Sequence, residues 1–464
     1  MSPQHQPATR RVVMALFFFP RGGSAYVTRH LGRLLPGAGW EVTLVAGSLG
    51  GPTAATYAPA FFAGTEVRTV DYTASGEAAD PLGADVPFQP SYEDRQGAPD
   101  RVFARVGDGA YERLVTAWEK TLGQAGAASA DVLHLHHLTP ANEAAARSFP
   151  AVPVVGHLHG TELLMLREIA AGPPPHWVYA RAWAERMRRW AQGCTQVVVQ
   201  SPDAAAQAQA MLGVDPARVT CVPNGVDVSR FDRRPARGDD RVAFWRRWLV
   251  EDPQGWDGSG VPGSVRYGER DLDAFREGGP VLLYVGRFTA VKRVGLLVRA
   301  YALARRELRV RAPLVLLGGH PGELEGRHPL DEVRDAGVPD VFLAGWRPQD
   351  ALPGALNAAD LLVLPSVREQ FGQVLVEAMA CGLPVVAVDA HGPATIVEPG
   401  RTGWLVPADD LEALAAALVA AVNDPAGRAR MGDAGWLVSR ARYSLEAVVA
   451  GVAGAYELAV PAAQ

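Results

Sequence analysis

The stretch Glu369-Gln370-Phe371-Gly372-Gln373-Val374-Leu375-Val376-Glu377 decides the fold of this chain. It follows an apolar run, Leu361 to Leu364, that ends at Pro365-Ser366, and it opens a short apolar helix pattern that stops at Gly382. Glu369 is therefore predicted in a loop at the carboxyl end of a strand, with Glu377 two helical turns later. Ligands bind at that edge of an open parallel sheet.

A second corner has the same design. The continuous apolar run Val281 to Val285 predicts a strand buried on both faces, and it ends in Gly286-Arg287. A helical pattern follows over Val291 to Leu308, with Lys292 in its first turn. A cation there opposes the helix dipole, so a bound anion is one reason for it. The alternative is a solvated lysine and an arginine paired to a nearby acid.

The two halves of the chain repeat one pattern of strand, turn, helix and strand. Strands that alternate with helices at this spacing form right-handed βαβ units and parallel sheets. In the first half these elements are Val12 to Phe19, Pro20 to Gly23, Ala25 to Leu35 and Glu41 to Ala46. In the second half they are Val281 to Val285, Gly286 to Ala290, Val291 to Leu308 and Pro313 to Leu317.

The second half continues the series. Further strands are predicted at Asp340 to Leu343, Leu361 to Leu364 and Pro384 to Val388. Asp409-Asp410 is predicted to cap a helix that starts at Leu411 and ends near Asn423-Asp424-Pro425. The fold class is therefore α/β, with two doubly wound parallel sheets.

Length, charge and cysteine content limit the class of protein. A chain of 464 residues exceeds the roughly 250–300 at which a single core stops growing, so two domains are expected. The net charge of −5 gives no reason to expect nucleic acid. Three scattered cysteines, Cys194, Cys221 and Cys381, suit neither a disulfide framework nor a structural zinc site. The polar amino terminus has no signal-peptide core, so a cytoplasmic protein is expected.

Histidines cluster where two predicted strands end. Strand alternation puts His134 and His136 on one face, and His157 and His159 on one face. A metal cluster is conceivable, since imidazole is a common ligand. No carboxylate or cysteine stands at ligand spacing, however, and a strand end equally suits sugar or phosphate contacts.

An ordered set of short motifs resembles one enzyme family, the retaining GT-B glycosyltransferases of family 4, the sucrose-synthase-like and mannosyltransferase-like group. The resemblance covers nearly the whole chain and keeps the family's order. Its motifs, besides Gly286-Arg287, Lys292 and Glu369 to Glu377, are Pro20-Arg21-Gly22-Gly23, Asp131-Val132-Leu133-His134, His159-Gly160-Thr161-Glu162, Pro223-Asn224-Gly225-Val226-Asp227, Gly392-Pro393 and Gly400-Arg401-Thr402-Gly403.

The resemblance implies a GT-B architecture, in which two Rossmann-like domains face a central cleft. Residues 1–230 would bind the acceptor, and residues 231–445 would bind the nucleotide-sugar donor. A C-terminal helix within residues 446–464 would pack back on the first domain.

The chemistry of a breaking sugar–nucleotide bond assigns roles to these residues. Arg287 and Lys292 are predicted to stabilise the departing diphosphate, because cations aimed at developing charge are usually the largest catalytic term. Such cations can replace a divalent metal, so neither a metal nor another cofactor is expected. Backbone N–H groups should assist them, at Gly22-Gly23 and at the helix start formed by Gly372, Gln373 and Val374.

The remaining contacts are assigned mainly by the resemblance. Glu377 can hold both ribose hydroxyls as a bidentate acceptor. Glu369, Phe371 and His159 are expected at the donor sugar, with His159 near the reacting carbon. The base is expected at the backbone around Trp346 and Arg347. Together with the two cations, Glu369 and His159 make up the predicted catalytic set.

The predicted reaction moves a sugar from a nucleoside-diphosphate sugar to a hydroxyl acceptor. UDP is the first choice of nucleotide and GDP the second, and retention at the anomeric carbon follows from the resemblance alone. The alternatives are a sugar-nucleotide epimerase of GT-B fold and a noncatalytic sugar-nucleotide binder. A dinucleotide oxidoreductase is disfavoured, because no G-x-G-x-x-G precedes an acid at the required interval.

Three segments fall outside this scheme. Thr73 to Asp100, rich in Gly, Pro and Asp, is predicted to form a long loop. The insert, residues 233–279, holds Trp245, Trp248 and Trp256, and is predicted to cover the cleft or to form a partner surface. The basic run Trp177 to Trp190 predicts an amphipathic helix with Arg181, Arg186, Arg188 and Arg189. Those arginines indicate either a solvated face or peripheral contact with anionic lipid.

Overall fold

The structure is a computed structural model that describes residues 10–20, 22–78, 80–94 and 101–460. It divides into two compact units: Met1–Asn224 with Glu446–Gln464, and Gly225–Leu445. The division falls earlier in the chain than the predicted boundary after residue 230. The reason is that the Val226 N–H donates to the Tyr443 carbonyl at 2.7 Å, which ties this segment to the second unit.

The first unit is built on a parallel sheet of seven strands. Its order is β3-β2-β1-β4-β5-β6-β7, so the direction of winding reverses between β1 and β4. Side chains of β1 alternate between two hydrophobic clusters, which shows that the strand is buried on both faces. The strands are β1 (Arg10–Leu16), β2 (Trp40–Ser48), β3 (Glu66–Asp71), β4 (Val132–His136), β5 (Val154–His157), β6 (Gln196–Val199) and β7 (Val219–Cys221).

Eight helices accompany these strands in the described part of the chain up to Asn224. They are α1 (Gly23–Leu34), α2 (Ala58–Phe61), α3 (Thr73–Gly76), α4 (Asp108–Gln124), α5 (Pro140–Ser148), α6 (Thr161–Ala171), α7 (Ala180–Gly193) and α8 (Pro202–Leu212). The predicted loop from Thr73 to Asp100 is wrong at its start, where α3 forms. It also contains the buried side chains of Phe88 and Tyr92. Its residues 79 and 95–100 lie outside the described ranges.

The second unit is built on a parallel sheet of six strands. Its order is β10-β9-β8-β11-β12-β13, and the winding reverses between β8 and β11. The predicted strands of this half are confirmed to within a few residues. The strands are β8 (Leu282–Val285), β9 (Leu314–Leu317), β10 (Val341–Gly345), β11 (Leu361–Leu364), β12 (Val385–Val388) and β13 (Gly403–Val406).

The helices of this unit are α9 (Gly238–Arg246), α10 (Asp273–Arg276), α11 (Val294–Ala304), α12 (Pro329–Ala336), α13 (Leu352–Asn357), α14 (Gln373–Ala380), α15 (His391–Ile396), α16 (Leu411–Asn423) and α17 (Pro425–Arg442). The cap predicted for α16 is confirmed, because an Asp410 carboxylate oxygen accepts the Ala413 N–H at 2.8 Å. The end predicted for that helix, near Asn423, is confirmed as well.

The insert, residues 233–279, is part of the core of the second unit. Trp245 is fully buried, stacks on Phe275 at 5.6 Å and donates its indole N–H to the Ala358 carbonyl. Trp248 and Trp256 are buried in the same hydrophobic cluster. The three tryptophans therefore anchor the insert in this unit, and the prediction that the insert covers the cleft or forms a partner surface stays a prediction. Their large apolar areas stabilise the unit to which they belong.

The last helix, α18 (Leu445–Ala459), lies almost entirely in the segment that belongs to the first unit. Tyr456 packs edge-on against Trp40 with ring centroids 4.8 Å apart, and Glu457 forms an ion pair with Arg10. Tyr456 also reaches the histidine cluster, so the end of the chain contributes to the interior of the first unit.

Candidate functional site

Two loops of the second unit meet where its sheet changes winding direction. One loop follows β8 and begins at Gly286; the other follows β11 and runs to Gly372. Because β8 and β11 are neighbouring parallel strands, both loops leave the sheet on the side where the carboxyl ends of the strands lie. They are joined there, since the Val367 N–H and the Ser366 hydroxyl both donate to the Val291 carbonyl, at 3.0 and 3.3 Å.

Lys292 and Glu369 form an ion pair at this edge. The Lys292 Nζ lies 2.5 Å from a Glu369 carboxylate oxygen, and the two side chains are 15% and 18% exposed. The structure thus brings together two residues that the sequence predicted for one site. The pair is open to solvent on one side, so its charges remain accessible to a ligand.

The prediction that Lys292 lies in the first turn of an α-helix is wrong. Ala290–Lys292 forms a 3₁₀ turn, Arg293 adopts a left-handed conformation with φ of 54°, and α11 begins only at Val294. Opposition to the helix dipole therefore gives no reason for Lys292 at this position. The ion pair with Glu369 explains the position of Lys292 instead, because this pair holds the ammonium group between the two loops.

Arg287 belongs to the same loop as Lys292 and is exposed. Beneath it the Tyr284 hydroxyl donates to the Arg287 carbonyl at 2.7 Å. Burial raises the pKa of Tyr284, the Glu369 charge raises it further, and the Arg287 charge lowers it. Both charges therefore act on one buried hydroxyl at the carboxyl end of β8. The sequence pattern did not single out Tyr284, because it reads as an ordinary strand residue.

The turn before α14 is made by Gly372, whose φ of 97° is the left-handed conformation that favours glycine. A Cβ at this position would approach Leu375 to 2.9 Å. The helix that follows presents the backbone N–H groups of Gln373 and Val374 at its start. The Phe371 side chain is buried and packs edge-on against Tyr443, so it contributes to the core and only the backbone faces the turn.

Glu377 is buried one turn along α14. Burial raises its pKa to about 7, while hydrogen bonds from Gln349 and Gln373 and the charge of Arg230 act in the opposite direction. The buried carboxyl therefore ionises near neutral pH. Gln349 had not been predicted as part of the site; it lies in the 3₁₀ turn Gln349–Ala351 after β10.

Trp346 and Arg347, the predicted base-binding pair, point in different directions. The Trp346 side chain is 56% exposed. The Arg347 guanidinium is bound by the insert, with Nη1 2.5 Å from an Asp252 carboxylate oxygen and Nη2 3.1 Å from the Trp248 carbonyl. Trp346 is therefore the side chain available to a ligand, and Arg347 anchors the loop.

In the first unit, the loop after β1 carries the glycine turn. Gly22 has φ of 76° and precedes α1, and a Cβ at Gly22 or Gly23 would meet no atom within 4 Å. The surroundings of both glycines are therefore open, as required for a backbone that approaches a ligand. Arg21 lies outside the described residues.

Five histidines gather at the carboxyl ends of β4 and β5, beside the point where this sheet changes winding direction. His134 Nε2 bonds His157 Nδ1 at 3.2 Å, and His136 Nδ1 bonds His159 Nε2 at 2.9 Å. Both pairs are nearly coplanar, with interplanar angles of 6° and 24°. The pairs stack on each other, since the His134–His136 and His157–His159 centroids are 4.4 and 4.6 Å apart.

The ends of this histidine array are also bound. The Tyr456 hydroxyl lies 2.6 Å from His134 Nδ1. At the other side, His137 Nδ1 donates to a Glu162 carboxylate oxygen at 3.0 Å. The same oxygen accepts a hydrogen bond from the backbone N–H of His159 at 3.2 Å. Glu162 therefore holds the turn that carries His159, and His136 fixes the plane of its ring.

Burial keeps four of these five histidines neutral. It lowers the pKa values of His134, His136 and His159 well below the ordinary value and that of His157 to about 3, and neighbouring histidines add to this effect in each case. Ring nitrogens of His134, His136 and His157 lie within 4.8 Å of one another, close enough to be considered as metal ligands. A metal would have to replace the His134–His157 hydrogen bond.

The basic helix α7 packs against the first unit through Trp183 and Trp190. Arg186 lies over the Tyr111 ring at 3.9 Å and pairs with Asp108 at 2.6 Å. Arg188 donates to the Met211 carbonyl at 3.0 Å, whereas Arg181 is exposed. Much of the basic face is thus used in local contacts. Among the described helices, none combines the length and apolar character required to cross a membrane.

Comparison with solved structures identifies the class of fold. Sucrose-phosphate synthase from Thermosynechococcus elongatus is 20% identical, with a TM-score of 0.66 and coverage of 97% of this chain and 98% of that chain. HepE from Anabaena, solved in complex with UDP, is 17% identical, with a TM-score of 0.63 and coverage of 97% and 99%. The predicted GT-B glycosyltransferase fold, built from two Rossmann-like units, is confirmed.

Family models and curated relatives make the assignment specific. The model described as Glycosyltransferase Family 4 matches residues 21–230, and the one described as Glycosyl transferases group 1 matches residues 279–424. A protein of Thermobispora bispora named D-inositol 3-phosphate glycosyltransferase is 30% identical over 333 residues, 70% of each chain. This chain belongs to glycosyltransferase family 4.

A second relative carries the same name. The D-inositol 3-phosphate glycosyltransferase of Kribbella flavida is 32% identical over 312 residues. The match spans 66% of this chain and 66% of that relative. The shared part is thus about two thirds of each protein, and the resemblance stated from the motifs is confirmed at the level of the family.

Proposed function

We propose that this chain transfers a sugar from a nucleoside-diphosphate sugar to a hydroxyl acceptor, with retention at the anomeric carbon and without a metal ion. The contact of Lys292 with Glu369 carries the proposal, and the exposed Arg287 lies in the same loop as Lys292. It combines a donor for diphosphate oxygens and an acceptor for sugar hydroxyls within one hydrogen bond of each other. Family membership makes glycosyl transfer the reaction that such a site serves.

The diphosphate would be held by Arg287 and Lys292. An ammonium has three N–H donors, of which Glu369 uses one, so two remain for phosphate oxygens. The exposed Arg287 guanidinium adds a forked pair of donors that matches two phosphate oxygens. The N–H groups of Gly372, Gln373 and Val374, at the end of the loop that carries Glu369, form the start of α14 and favour an anion.

The nucleoside would be held by Glu377 and the loop after β10. An ionised Glu377 accepts hydrogen bonds from both ribose hydroxyls. A flat, exposed indole such as Trp346 suits a nucleobase, because aromatic rings stack well on planar bases. Uridine is the proposed base and guanosine the second choice. The similar HepE structure was solved in complex with UDP, which supports this order.

In the reaction, the bond between the anomeric carbon and the diphosphate oxygen breaks, and its electron pair stays on the diphosphate. The acceptor oxygen bonds the anomeric carbon on the same face, and its proton passes to the departing phosphate oxygen. Arg287 and Lys292 stabilise the charge that develops on the diphosphate, which is the role that a divalent metal fills in other transferases. Activity should therefore persist in excess EDTA.

His159 and the open Gly22-Gly23 turn belong to the first unit. His159 is assigned to the donor sugar by its match to the family motif, and the array around it holds its ring in one orientation. The names of the curated relatives make D-inositol 3-phosphate the first acceptor to assay. Other hydroxyl acceptors follow from the same chemistry.

A two-stage experiment tests the proposal. Thermal-shift measurements with UDP-, GDP- and ADP-sugars should show a rise in melting temperature with one donor, because a ligand that binds the folded state stabilises it. Transfer from that donor to acceptor is then followed by NMR, which reports the anomeric configuration of the product. The absence of any thermal shift, or an inverted product, would contradict the proposal.

A further inference from the structure

The insert contacts two loops of the second unit, the loop after β9 and the loop after β10, and the second of these carries the residues proposed to bind the nucleobase. Strand β10 is the edge of the second sheet, and the insert lies along it. The Tyr267 hydroxyl accepts the Leu343 N–H of that strand at 2.8 Å. Tyr267 also packs on Phe342, with ring centroids 5.0 Å apart. An edge strand has unpaired backbone groups, and the insert covers them here.

The contact between the insert and the end of β10 is close. A Cβ at Gly345, whose φ is 69°, would lie 2.0 Å from the Gln254 carbonyl oxygen. A Cβ at Gly255 would lie 2.3 Å from the Leu343 carbonyl oxygen. Backbone therefore packs directly on backbone, and the loop that starts at Trp346 leaves the strand from a fixed point.

Arg347 joins this loop to the insert through both terminal nitrogens of its guanidinium group. Asp252 binds it through a carboxylate oxygen at 2.5 Å and also through its backbone carbonyl. The Trp248 carbonyl accepts a further hydrogen bond, and the Trp248 ring lies 4.9 Å from the guanidinium carbon. The Arg347 side chain is 9% exposed, whereas that of its neighbour Trp346 is mostly exposed.

The insert also binds the loop after β9. The Trp256 indole N–H donates to the Gly319 carbonyl at 3.0 Å, and the Gly319 N–H donates to the Gly286 carbonyl at 3.1 Å. Gly286 directly precedes Arg287. The insert therefore holds two of the loops at the carboxyl ends of the strands, the loop after β9 and the loop after β10, through tertiary contacts.

We propose that the insert determines nucleobase binding: Asp252 and Trp248 hold Arg347 so that the adjacent Trp346 presents a fixed aromatic platform to the base. Asp252 is thus a positioning residue, and it acts through Arg347. This inference rests on the proposed function, because it requires a nucleotide at the carboxyl edge of the second sheet. The contacts of the insert should raise nucleotide affinity through preorganisation, since a loop that is ordered before binding loses less conformational entropy when the base stacks.

The test compares a nucleotide with a ligand that lacks the base. Isothermal titration calorimetry on the full chain measures the affinities of UDP and of inorganic pyrophosphate for the wild-type protein and for Asp252→Ala. Loss of one charge-assisted hydrogen bond should weaken UDP binding about tenfold. Pyrophosphate binding should stay within about twofold, because Arg287 and Lys292 do not touch Asp252.

A matched control is available within the insert. Glu269 pairs with Arg246 at 2.8 Å and with Arg276 at 3.1 Å. Its side chain is 57% exposed and that of Asp252 is 60% exposed. Glu269→Ala should bind both ligands like the wild type. Trp346→Ala should weaken UDP as Asp252→Ala does, and Trp346→Phe should restore most of the affinity, because a phenyl ring still stacks.

The outcomes separate this inference from the proposed function. Wild-type affinity for UDP in Asp252→Ala, or an equal loss of UDP and pyrophosphate affinity, would overturn the role of the insert and leave the proposed function intact. Equal weakening by Asp252→Ala and Glu269→Ala would assign the insert a general structural role and overturn the inference. If the wild-type protein bound pyrophosphate but no nucleotide, both proposals would fail.

Discussion

Lys292 and Glu369 lie 77 positions apart in the chain and meet in an ion pair of 2.5 Å. One belongs to the loop after β8 and the other to the loop after β11, which are neighbouring strands at the point where the winding of the sheet reverses. The pair therefore exists because of the topology: two loops that are distant in sequence leave the same sheet edge.

Replacement of either member of this pair should abolish most transfer. Lys292→Ala removes a donor to the diphosphate, and Glu369→Ala removes the acceptor for sugar hydroxyls. Each variant should stay folded and lose at least about a hundredfold in kcat/KM, the scale for loss of one charge-stabilising group. Circular dichroism tests whether each variant is folded, and initial rates measure the loss in kcat/KM. Arg327→Ala, which breaks the exposed Arg327–Asp335 pair of the same unit, is the control. Wild-type turnover in either site variant would refute the assignment.

Donor affinity should depend on the ionisation of Glu377. Its pKa of about 7 means that the Glu377 carboxyl of the ligand-free protein is half protonated at neutral pH. Ribose hydroxyls donate to the ionised form. UDP-sugar binding should therefore tighten about tenfold from about pH 6 to about pH 8. Calorimetry in that range measures the slope. Glu377→Gln should bind more weakly and lose the slope, and a variant that kept it would show that another group titrates.

The histidine array should make the first unit acid-labile. Because burial lowers the pKa values of His134, His136, His157 and His159, the unfolded state binds more protons than the folded state below about pH 6.5. This contribution to stability is complete above that pH and is lost as the pH falls towards about 3, the folded pKa of His157. Urea denaturation at several pH values measures it. His157→Asn should reduce the pH dependence, and the exposed His320→Asn should not change it.

His159 should affect chemistry and leave nucleotide binding unchanged. Its ring is held by His136 in the first unit, whereas Arg287, Lys292 and Glu377 lie in the second. His159→Ala should therefore reduce kcat by at least about a hundredfold and change the UDP dissociation constant by less than about twofold. Calorimetry and single-turnover rates separate the two quantities. A large loss of UDP affinity with an unchanged rate would place His159 in binding instead.

Trp245 should behave as a core residue. It is fully buried and stacks on Phe275, so Trp245→Ala should lower the free energy of unfolding by about 3–5 kcal/mol. Chemical denaturation monitored by circular dichroism measures this loss. A cover over a ligand would instead show less than about 1 kcal/mol, with an effect confined to ligand binding. Val261→Ala, at an exposed position of the same insert, is the control.

Much of the second sheet could be predicted from the sequence. Strands buried on both faces, such as Leu282–Val285 and Leu361–Leu364, read as continuous apolar runs, and Asp410 is a recognisable helix cap. Strand β3 was missed, because half of its side chains are exposed and its sequence, Glu66–Asp71, is polar. The short strands β6, β7 and β13, of three or four residues each, were not predicted either. Local pattern identifies an element only when burial acts uniformly along it.

The site residues divide in the same way. Gly286-Arg287, Lys292, Glu369 and Glu377 are recognisable because they follow strands at fixed spacing. Tyr284, Gln349 and Asp252 are not, since each acts through a partner that is distant in sequence or hidden by burial. The insert shows this most clearly: its tryptophans indicated order, but nothing in their spacing indicated which surface they would cover.

The sequence by itself determined the alternation of strands and helices, the family and the loops that carry charge. These follow from hydrophobic periodicity and from glycines and acids at turns, which depend on a few neighbouring residues. Only the tertiary structure decided that Glu369 pairs with Lys292, that His134, His136, His157 and His159 stack as neutral rings, and that the insert holds Arg347. Such contacts depend on the order of strands in a sheet and on burial, which join residues that chain distance separates.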